Sequence, residues 1–259
     1  MRLHYLEWGA ADLPALLLLH GFANQAHMWD LFAPTVADRY HVFALDFRGH
    51  GDSDHAETYG DEANLNDTLQ VIEHLGLERL SLLGFSMGGA AAMLTTARLV
   101  DRVSRLVIVD RGPETSERGR ERMARALRQA RPSFASREEA LAYIRLANPK
   151  RPEALVERSL EHAFRRLEDG SYRIKYDPRL RDGFIRGDVP RLDLWQALRS
   201  IHCPTLIVRG GDSDILAPDV AEKMLETVPG SCMETVPGAG HNVAQDQPEA
   251  FNRVVGGFL

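Results

Sequence analysis

The sequence predicts an α/β fold, a mostly parallel sheet with helices on both faces and one inserted helical segment. Three observations predict it. Short, entirely apolar runs typical of strands covered on both faces recur along the chain. Segments with helical spacing separate these runs, as expected for parallel strands. Between residues 111 and 200 the strands stop and only helical patterns occur. A chain of 259 residues is long enough for one large domain that carries such an insertion.

The predicted elements follow in order. Strands are expected at residues 3–9, 15–20, 42–45, 80–84, 106–109, 205–208 and 232–236. Helical spacing from Leu65 to Leu75, ended by Gly76, predicts a helix before the fourth strand, and Pro218 opens another after the sixth. Within the insertion, helices are expected around residues 118–131, 137–146 and 152–168. The sequence therefore divides into an α/β core, residues 1–110 and 201–259, and a helical cap insertion, residues 111–200.

Composition excludes several classes of function. The net charge of −6 argues against nucleic acid or an anionic membrane as a partner, although residues 111–200 hold 21 basic against 14 acidic side chains. No apolar stretch approaches the ~20 residues that span a bilayer, and the N-terminal residues lack a secretory pattern. A cytoplasmic protein is expected. The two cysteines, Cys203 and Cys232, lack the spacing of a metal cluster.

The most informative motif is Gly-Phe-Ser-Met-Gly-Gly at Gly84–Gly89, between an apolar strand and an alanine-rich helix. A serine in this context lies on a sharp, strained turn that exposes its hydroxyl at the sheet edge. Small flanking residues are needed there, and Gly84 and Gly88 supply them. Ser86 is therefore the candidate nucleophile.

Further candidates follow other strand ends, where an open α/β sheet binds its ligand. After the second strand, Gly21 lets the Phe22 N–H aim at a developing oxyanion, and the Met87 N–H is the expected second donor. After the last strand, His241 lies in a glycine-rich loop and is the candidate base.

A carboxylate that orients this histidine is expected after the sixth strand, where Asp212 and Asp214 compete. We favour Asp214 because it stands four residues before Pro218, whereas Asp212 is better placed to shape the turn. Nucleophile, acid and base then follow the chain order Ser, Asp, His.

Together these segments resemble the α/β-hydrolase superfamily, in particular its capped bacterial serine esterases, over nearly the whole chain. The segments that carry the resemblance are His20–Phe22, Asp46–Ser53, Gly84–Gly89, Asp214 and Gly240–His241. The resemblance implies the α/β-hydrolase fold and assigns the nucleophile, acid, base and oxyanion donors as above. It gives Asp46–Ser53 a structural role and His50 no chemical one. Because some relatives take their acid from the end of the fifth strand, Asp110 is the alternative to Asp214.

The implied reaction is hydrolysis of a small-molecule carboxylic ester, lactones included, through an acyl-enzyme and without metal or cofactor. Residues expected to line an apolar pocket for small to medium acyl or alkyl groups are His27, Met28, Trp29, Phe184 and Trp195. Ser86 stands where the similar haloalkane dehalogenases and epoxide hydrolases carry Asp, which disfavours those reactions. Two alternatives stay open: a carbon–carbon bond hydrolase of ring-cleavage products and a non-catalytic ligand receptor.

Overall fold

The computed structural model describes all residues, 1–259, and its centre is a seven-stranded sheet. The strands of the protein are β1 (Tyr5–Trp8), β2 (Ala15–Leu19), β3 (His41–Leu45), β4 (Leu80–Phe85), β5 (Val103–Val109), β6 (Ser133–Phe134), β7 (Phe164–Arg166), β8 (Tyr172–Ile174), β9 (Thr205–Gly210) and β10 (Ser231–Val236). The large sheet has the order β1-β3-β2-β4-β5-β9-β10, and only β1 runs antiparallel to its neighbour. The predicted mostly parallel α/β fold is confirmed.

Ten α-helices accompany these strands: α1 (Asp61–His74), α2 (Met87–Arg98), α3 (Glu117–Gln129), α4 (Arg137–Ala147), α5 (Glu153–Ala163), α6 (Pro178–Arg186), α7 (Leu194–Arg199), α8 (Pro218–Thr227), α9 (Val243–Asp246) and α10 (Pro248–Phe258). No helix has the length and apolar character needed to cross a membrane.

The sheet is buried between two apolar layers, because alternate residues of each strand point to opposite faces. Leu17 and Leu19 of β2 pack on one face with side chains of α1, α2, α7 and α8. Leu16 and Leu18 pack on the other face with the segment after β2 and with α9 and α10. Because both faces of the sheet are covered, only the ends of the strands can present polar side chains to a ligand.

Between β5 and β9 the chain builds a separate layer, residues 111–193, which we call the insertion. It contains α3 to α6 and a small antiparallel sheet with the order β6-β8-β7, and it has its own apolar cluster around Phe134, Ile144 and Phe164. The helix expected over residues 152–168 ends at Ala163, and the chain continues directly into β7. Strands of two or three residues are too short to leave an alternating pattern in the sequence.

The boundary expected at residue 200 also differs from the structure. Leu194, Ala197 and Leu198 of α7 are buried in the core beside α2, so α7 belongs to the sheet layer. The insertion therefore ends before Leu194.

Polar contacts fasten the insertion to the core. The buried carboxylate of Asp177 accepts hydrogen bonds from the Tyr59 hydroxyl at 2.6 Å and from the backbone N–H of Arg179 at 2.9 Å. Burial acts to raise the pKa of Asp177, but bonds from the Arg179 and Tyr59 side chains outweigh it and lower the pKa to about 2. Asp177 is therefore ionised in the folded protein at neutral pH.

Candidate active site

Ser86 occupies a sharp turn between β4 and α2. Its backbone has φ 53° and ψ −113°, a conformation that side chains rarely adopt. The turn is tight on both sides: a Cβ on Gly84 would lie 2.2 Å from the Gly88 carbonyl oxygen, and one on Gly88 would lie 2.2 Å from that of Leu19. The two glycines are therefore required sterically, as the sequence predicts, and the serine is held at the end of β4.

His241 lies in the loop between β10 and α9, with its ring between two polar side chains. Its Nε2 is 3.0 Å from Ser86 Oγ, and its Nδ1 is 2.7 Å from Asp110 Oδ2. The ring also packs against Phe85, with ring centroids 4.8 Å apart. These contacts fix a tautomer in which Nδ1–H donates to the carboxylate and Nε2 accepts from the hydroxyl.

Asp110 is the residue that follows β5, and its side chain is fully buried. Besides His241, its carboxylate accepts the Gly210 N–H at 3.1 Å and the Ser213 hydroxyl. The Ser213 oxygen in turn accepts the Ile215 N–H at 3.1 Å. A buried carboxylate needs such hydrogen-bond partners; one comes from the last residue of β9 and one from the loop that follows it.

The expectation that Asp214 contacts His241 is corrected to Asp110. The Asp214 carboxylate instead forms a paired contact with Arg122 of the insertion, at 2.6 Å to Nε and 2.8 Å to Nη2. This guanidinium holds the pKa of Asp214 below its usual value. Asp212 is likewise turned outward, to Lys150 Nζ at 2.5 Å. The loop after β9 supports the acid and fastens the insertion, but it does not supply the acid.

The segment after β2 lies against the serine. A Cβ on Gly21 would be 2.6 Å from the Phe85 ring and 3.2 Å from Ser86 Cβ, so only glycine fits. The buried ring of His20 holds this segment, because its Nδ1 donates to the Gly21 carbonyl at 2.7 Å and its Nε2 accepts the Phe47 N–H at 3.0 Å. Burial lowers the pKa of His20, so the ring is neutral. Phe22 follows directly and borders the same cavities as Ser86.

The segment Asp46–Ser53 supports the site from below. The buried Asp46 carboxylate accepts the Ala26 N–H at 2.6 Å, the Asp52 N–H at 3.0 Å and a bond from His4 Nδ1 at 2.8 Å. Burial lowers the pKa of His50 to about 3. The His50 ring forms a hydrogen bond with the Arg48 carbonyl oxygen and none with Ser86, His241 or Asp110.

A cavity of about 240 Å³ opens above Ser86 and His241, under the insertion. Apolar side chains of the insertion form much of its wall: Met123, Ala126, Leu127, Tyr143, Ile144, Ala147, Ala163, Phe164, Ile174 and Tyr176. None of these residues was predicted from the sequence. Their only signal is the apolar face of each short helix, which does not tell whether the face covers a core or a cavity.

Of the five predicted pocket residues, Phe184 lines a cavity together with Ser86 and the other four do not. Phe184 packs 6.1 Å from the Phe22 ring, measured between centroids, and lines a small adjoining cavity with Ser86 and Met87. Met28 and Trp29 are buried in the core, and neither they nor His27 line the cavity above Ser86 and His241. The Trp195 indole packs on the core and donates to Glu114, away from that cavity. The positions of these residues, after β2 and in α7, did not reveal which way their side chains point.

Two clusters bring potential metal ligands within 4.8 Å of one another: His27, Asp30 and His162, and His4, Asp46 and Asp52. Neither includes a residue of the Ser86–His241–Asp110 chain. Asp30 is already ion-paired with Arg158, and Asp46 is engaged by backbone N–H groups, so neither cluster presents a free set of ligands.

Comparison with known proteins agrees with this fold. A family model described as the alpha/beta hydrolase fold matches residues 14–248. Esterase Rv0045c of Mycobacterium tuberculosis is 30% identical over 98% of this chain and 85% of its own length. The 2-(acetamidomethylene)succinate hydrolase of Mesorhizobium japonicum is 27% identical over 95% of this chain and 88% of its own. A crystal structure of E-2-(acetamidomethylene)succinate hydrolase superposes with a TM-score of 0.90 at 26% identity, covering 99% of this chain and 94% of that one.

Proposed function

Since the chain belongs to the α/β-hydrolase family, and its relatives named esterase or hydrolase support a hydrolase activity, we propose that it is a serine hydrolase that cleaves carboxylic esters. Ser86 is the nucleophile, His241 the general base and acid, and Asp110 the carboxylate that orients His241. The single observation that carries the proposal is the continuous hydrogen-bonded chain from Ser86 Oγ through the imidazole to the buried carboxylate.

The reaction is acyl transfer to water in two steps. Neutral His241 takes the Ser86 proton through Nε2 as Oγ attacks the ester carbonyl carbon. The resulting imidazolium gives that proton to the leaving alcohol, and the acyl group stays on Ser86. A water molecule, deprotonated by the same ring, then attacks the acyl-enzyme, and release of the acid restores Ser86. The Asp110 carboxylate accepts the Nδ1–H bond throughout and stabilises the imidazolium.

The oxyanion of each tetrahedral intermediate is bound by the backbone N–H groups of Phe22 and Met87. Met87 is the first residue of α2, so the positive end of the helix dipole adds to its N–H. The close approach of Gly21 to Ser86 puts Phe22 beside the nucleophile. In comparable sites one such donor contributes about 3–4 kcal/mol to the transition state.

Hydrolysis of 4-nitrophenyl esters of increasing acyl length tests the proposal, with Ser86→Ala as the matched variant. We expect saturable hydrolysis that falls by several orders of magnitude in Ser86→Ala while the melting temperature stays near that of the wild type. Hydrolysis by Ser86→Ala at close to the wild-type rate would remove Ser86 from the mechanism. A carbon–carbon hydrolase would cleave a vinylogous dicarbonyl reporter faster than every ester, and a receptor would bind esters without cleaving them.

A further inference from the structure

Arg151, in the turn before α5, is a cation without a counter-charge. Its guanidinium donates only to neutral acceptors: Ser159 Oγ at 2.8 Å, Asn148 Oδ1 at 3.1 Å and Gln245 Oε1. Its Nε is buried and has no hydrogen-bond partner. No carboxylate lies within 4.0 Å of its nitrogens, although Asp246 is close enough to influence it. By contrast, other arginines of the insertion, such as Arg122 and Arg145, form ion pairs with carboxylates.

This guanidinium lines the cavity that contains Ser86 and His241. No aspartate or glutamate is among the residues that line it, and the second arginine there, Arg122, is already paired with Asp214. Gln25, another lining residue, also has a buried side-chain oxygen without a partner. Its amide can present N–H₂ to the same space after a half-turn. The cavity wall thus has unused hydrogen-bonding capacity at Arg151 and Gln25.

A cation that is partly removed from water is costly unless it is paired, and Arg151 is only partly exposed. Burial lowers the pKa of Arg151 to about 10, which still leaves it positively charged at neutral pH. Nη2 already donates to Asn148 and Gln245, and Nη1 donates one hydrogen to Ser159, so one Nη1–H is left for a ligand. A ligand carboxylate that accepts this hydrogen bond would supply the missing counter-charge.

We propose that the substrate is an ester that also carries a carboxylate, and that Arg151 binds this carboxylate at the end of the cavity while Ser86 attacks the ester carbonyl. This inference rests on the proposed hydrolase function and narrows its substrate class to amphipathic anions, with an apolar chain between the two polar groups. Arg151 determines specificity and takes no part in bond making.

Arg111 is the other unpaired arginine near Ser86. Its Nε is also buried without a partner, and it lines the small adjoining cavity. Asp61, the carboxylate that acts on Arg111, lines that cavity itself, whereas Asp246, which acts on Arg151, is not among the residues that line the cavity above Ser86. The acid-free cavity at Arg151 is therefore the better site for an anion, and Arg111 serves as the competing assignment.

The test compares esters that differ only at their far end. Monoethyl succinate, glutarate, adipate and pimelate are matched with ethyl esters of equal chain length that end in a methyl group. Hydrolysis is followed by pH-stat for the wild type, Arg151→Gln, Arg151→Lys, Arg111→Gln and Arg145→Gln. Arg145 is the matched control, because it is an exposed insertion arginine paired with Glu153.

We expect at least one hemiester to exceed its neutral match in kcat/KM by about tenfold or more, the range for hydrogen bonds to charged groups. Arg151→Gln removes this preference, Arg151→Lys keeps part of it, and Arg145→Gln leaves it unchanged. A wild-type ratio near one, a preference that survives in Arg151→Gln, or a preference lost only in Arg111→Gln would each overturn the inference.

A binding experiment separates this inference from the proposed function. Calorimetric titration of Ser86→Ala with the preferred hemiester measures the anion site without turnover. We expect binding that disappears in the Ser86→Ala, Arg151→Gln double variant. Arg151-dependent binding without Ser86-dependent hydrolysis would refute the proposed hydrolase function but support the anion site. Hydrolysis of both ester series at equal rates would support the hydrolase function but refute the anion site.

Discussion

The choice of Asp110 over Asp214 as the acid leads to the sharpest prediction. Asp110→Asn keeps the size of the side chain but replaces an acceptor of three hydrogen bonds with an amide. Its carbonyl oxygen can satisfy only part of what Gly210, Ser213 and His241 donate, so the amide N–H₂ must face at least one donor. The imidazole is then held in the wrong tautomer or released, and its cation is no longer stabilised.

The expected loss is large for Asp110→Asn and small for Asp214→Asn. Replacement of the orienting carboxylate by its amide in a serine triad lowers kcat by ~10⁴, which is about 5.5 kcal/mol of transition-state stabilisation. Asp214→Asn removes an ion pair with Arg122, whose side chain is 50% exposed. Such partly exposed pairs contribute about 0–1 kcal/mol, so kcat changes by less than about fivefold.

Steady-state hydrolysis of 4-nitrophenyl butyrate by the two variants measures this difference, and circular dichroism melting checks that both fold. Asp214→Asn is the matched control, because it makes the same chemical change in a neighbouring strand-end loop. If Asp214→Asn were the slower variant, or Asp110→Asn retained kcat within a factor of ten, the assignment of the acid would be refuted.

Three further predictions test the supporting structure. Ser213→Ala removes one donor to Asp110, and we expect kcat to fall by about tenfold with KM unchanged, whereas Ser213→Thr keeps the hydroxyl and most of the rate. Asp177 has a folded-state pKa of about 2, below its unfolded value, so its stabilisation is present above about pH 4 and is lost as pH falls toward the folded pKa. The free energy of unfolding of the wild type exceeds that of Asp177→Asn at neutral pH. We expect this advantage to shrink by about 2 kcal/mol between neutral pH and pH ~2. Urea unfolding at a series of pH values measures this advantage, and a constant difference would contradict the assignment. Gly84→Ala would place a Cβ 2.2 Å from a backbone oxygen and should cost at least about 3 kcal/mol of folding free energy. Gly257→Ala in α10, where no atom lies within 4 Å of the added methyl, should be neutral or stabilise by up to about 1 kcal/mol. Equal unfolding midpoints for the two alanine variants would count against the steric argument.

The seven strands of the large sheet and two members of the hydrogen-bonded chain could be predicted because each has a local cause. An entirely apolar run between turn residues has few explanations other than a buried strand, and the glycines around Ser86 mark a turn that only small residues permit. His241 follows from its position after the last strand, because carboxyl ends of parallel strands meet at one edge of the sheet.

The acid could not be chosen in this way, because Asp110 and Asp214 both follow strands that end at this edge. Strand register decides between them. Phe85 pairs with Val109 across β4 and β5, so the residues that follow, Ser86 and Asp110, emerge side by side. Asp214 lies four residues beyond the end of β9, far enough for its loop to turn toward the insertion. Register is a property of the assembled sheet and leaves no mark on a single strand.

The cavity wall was the least predictable part. Aromatic and methionine side chains near the first loop were expected to surround the substrate, yet Met28 and Trp29 complete the core. The wall comes mainly from the insertion instead. Whether an apolar side chain covers a core or a cavity depends on the docking of two layers, which involves contacts distant in the sequence.

Two adjacent residues in the short loop after β9 contact different parts of the protein. Ser213 holds the carboxylate beneath the imidazole, and the adjacent Asp214 grips α3 of the insertion through Arg122. Arg122 also lines the cavity above Ser86. Two consecutive residues of this loop therefore connect the cavity wall and the carboxylate that bonds His241.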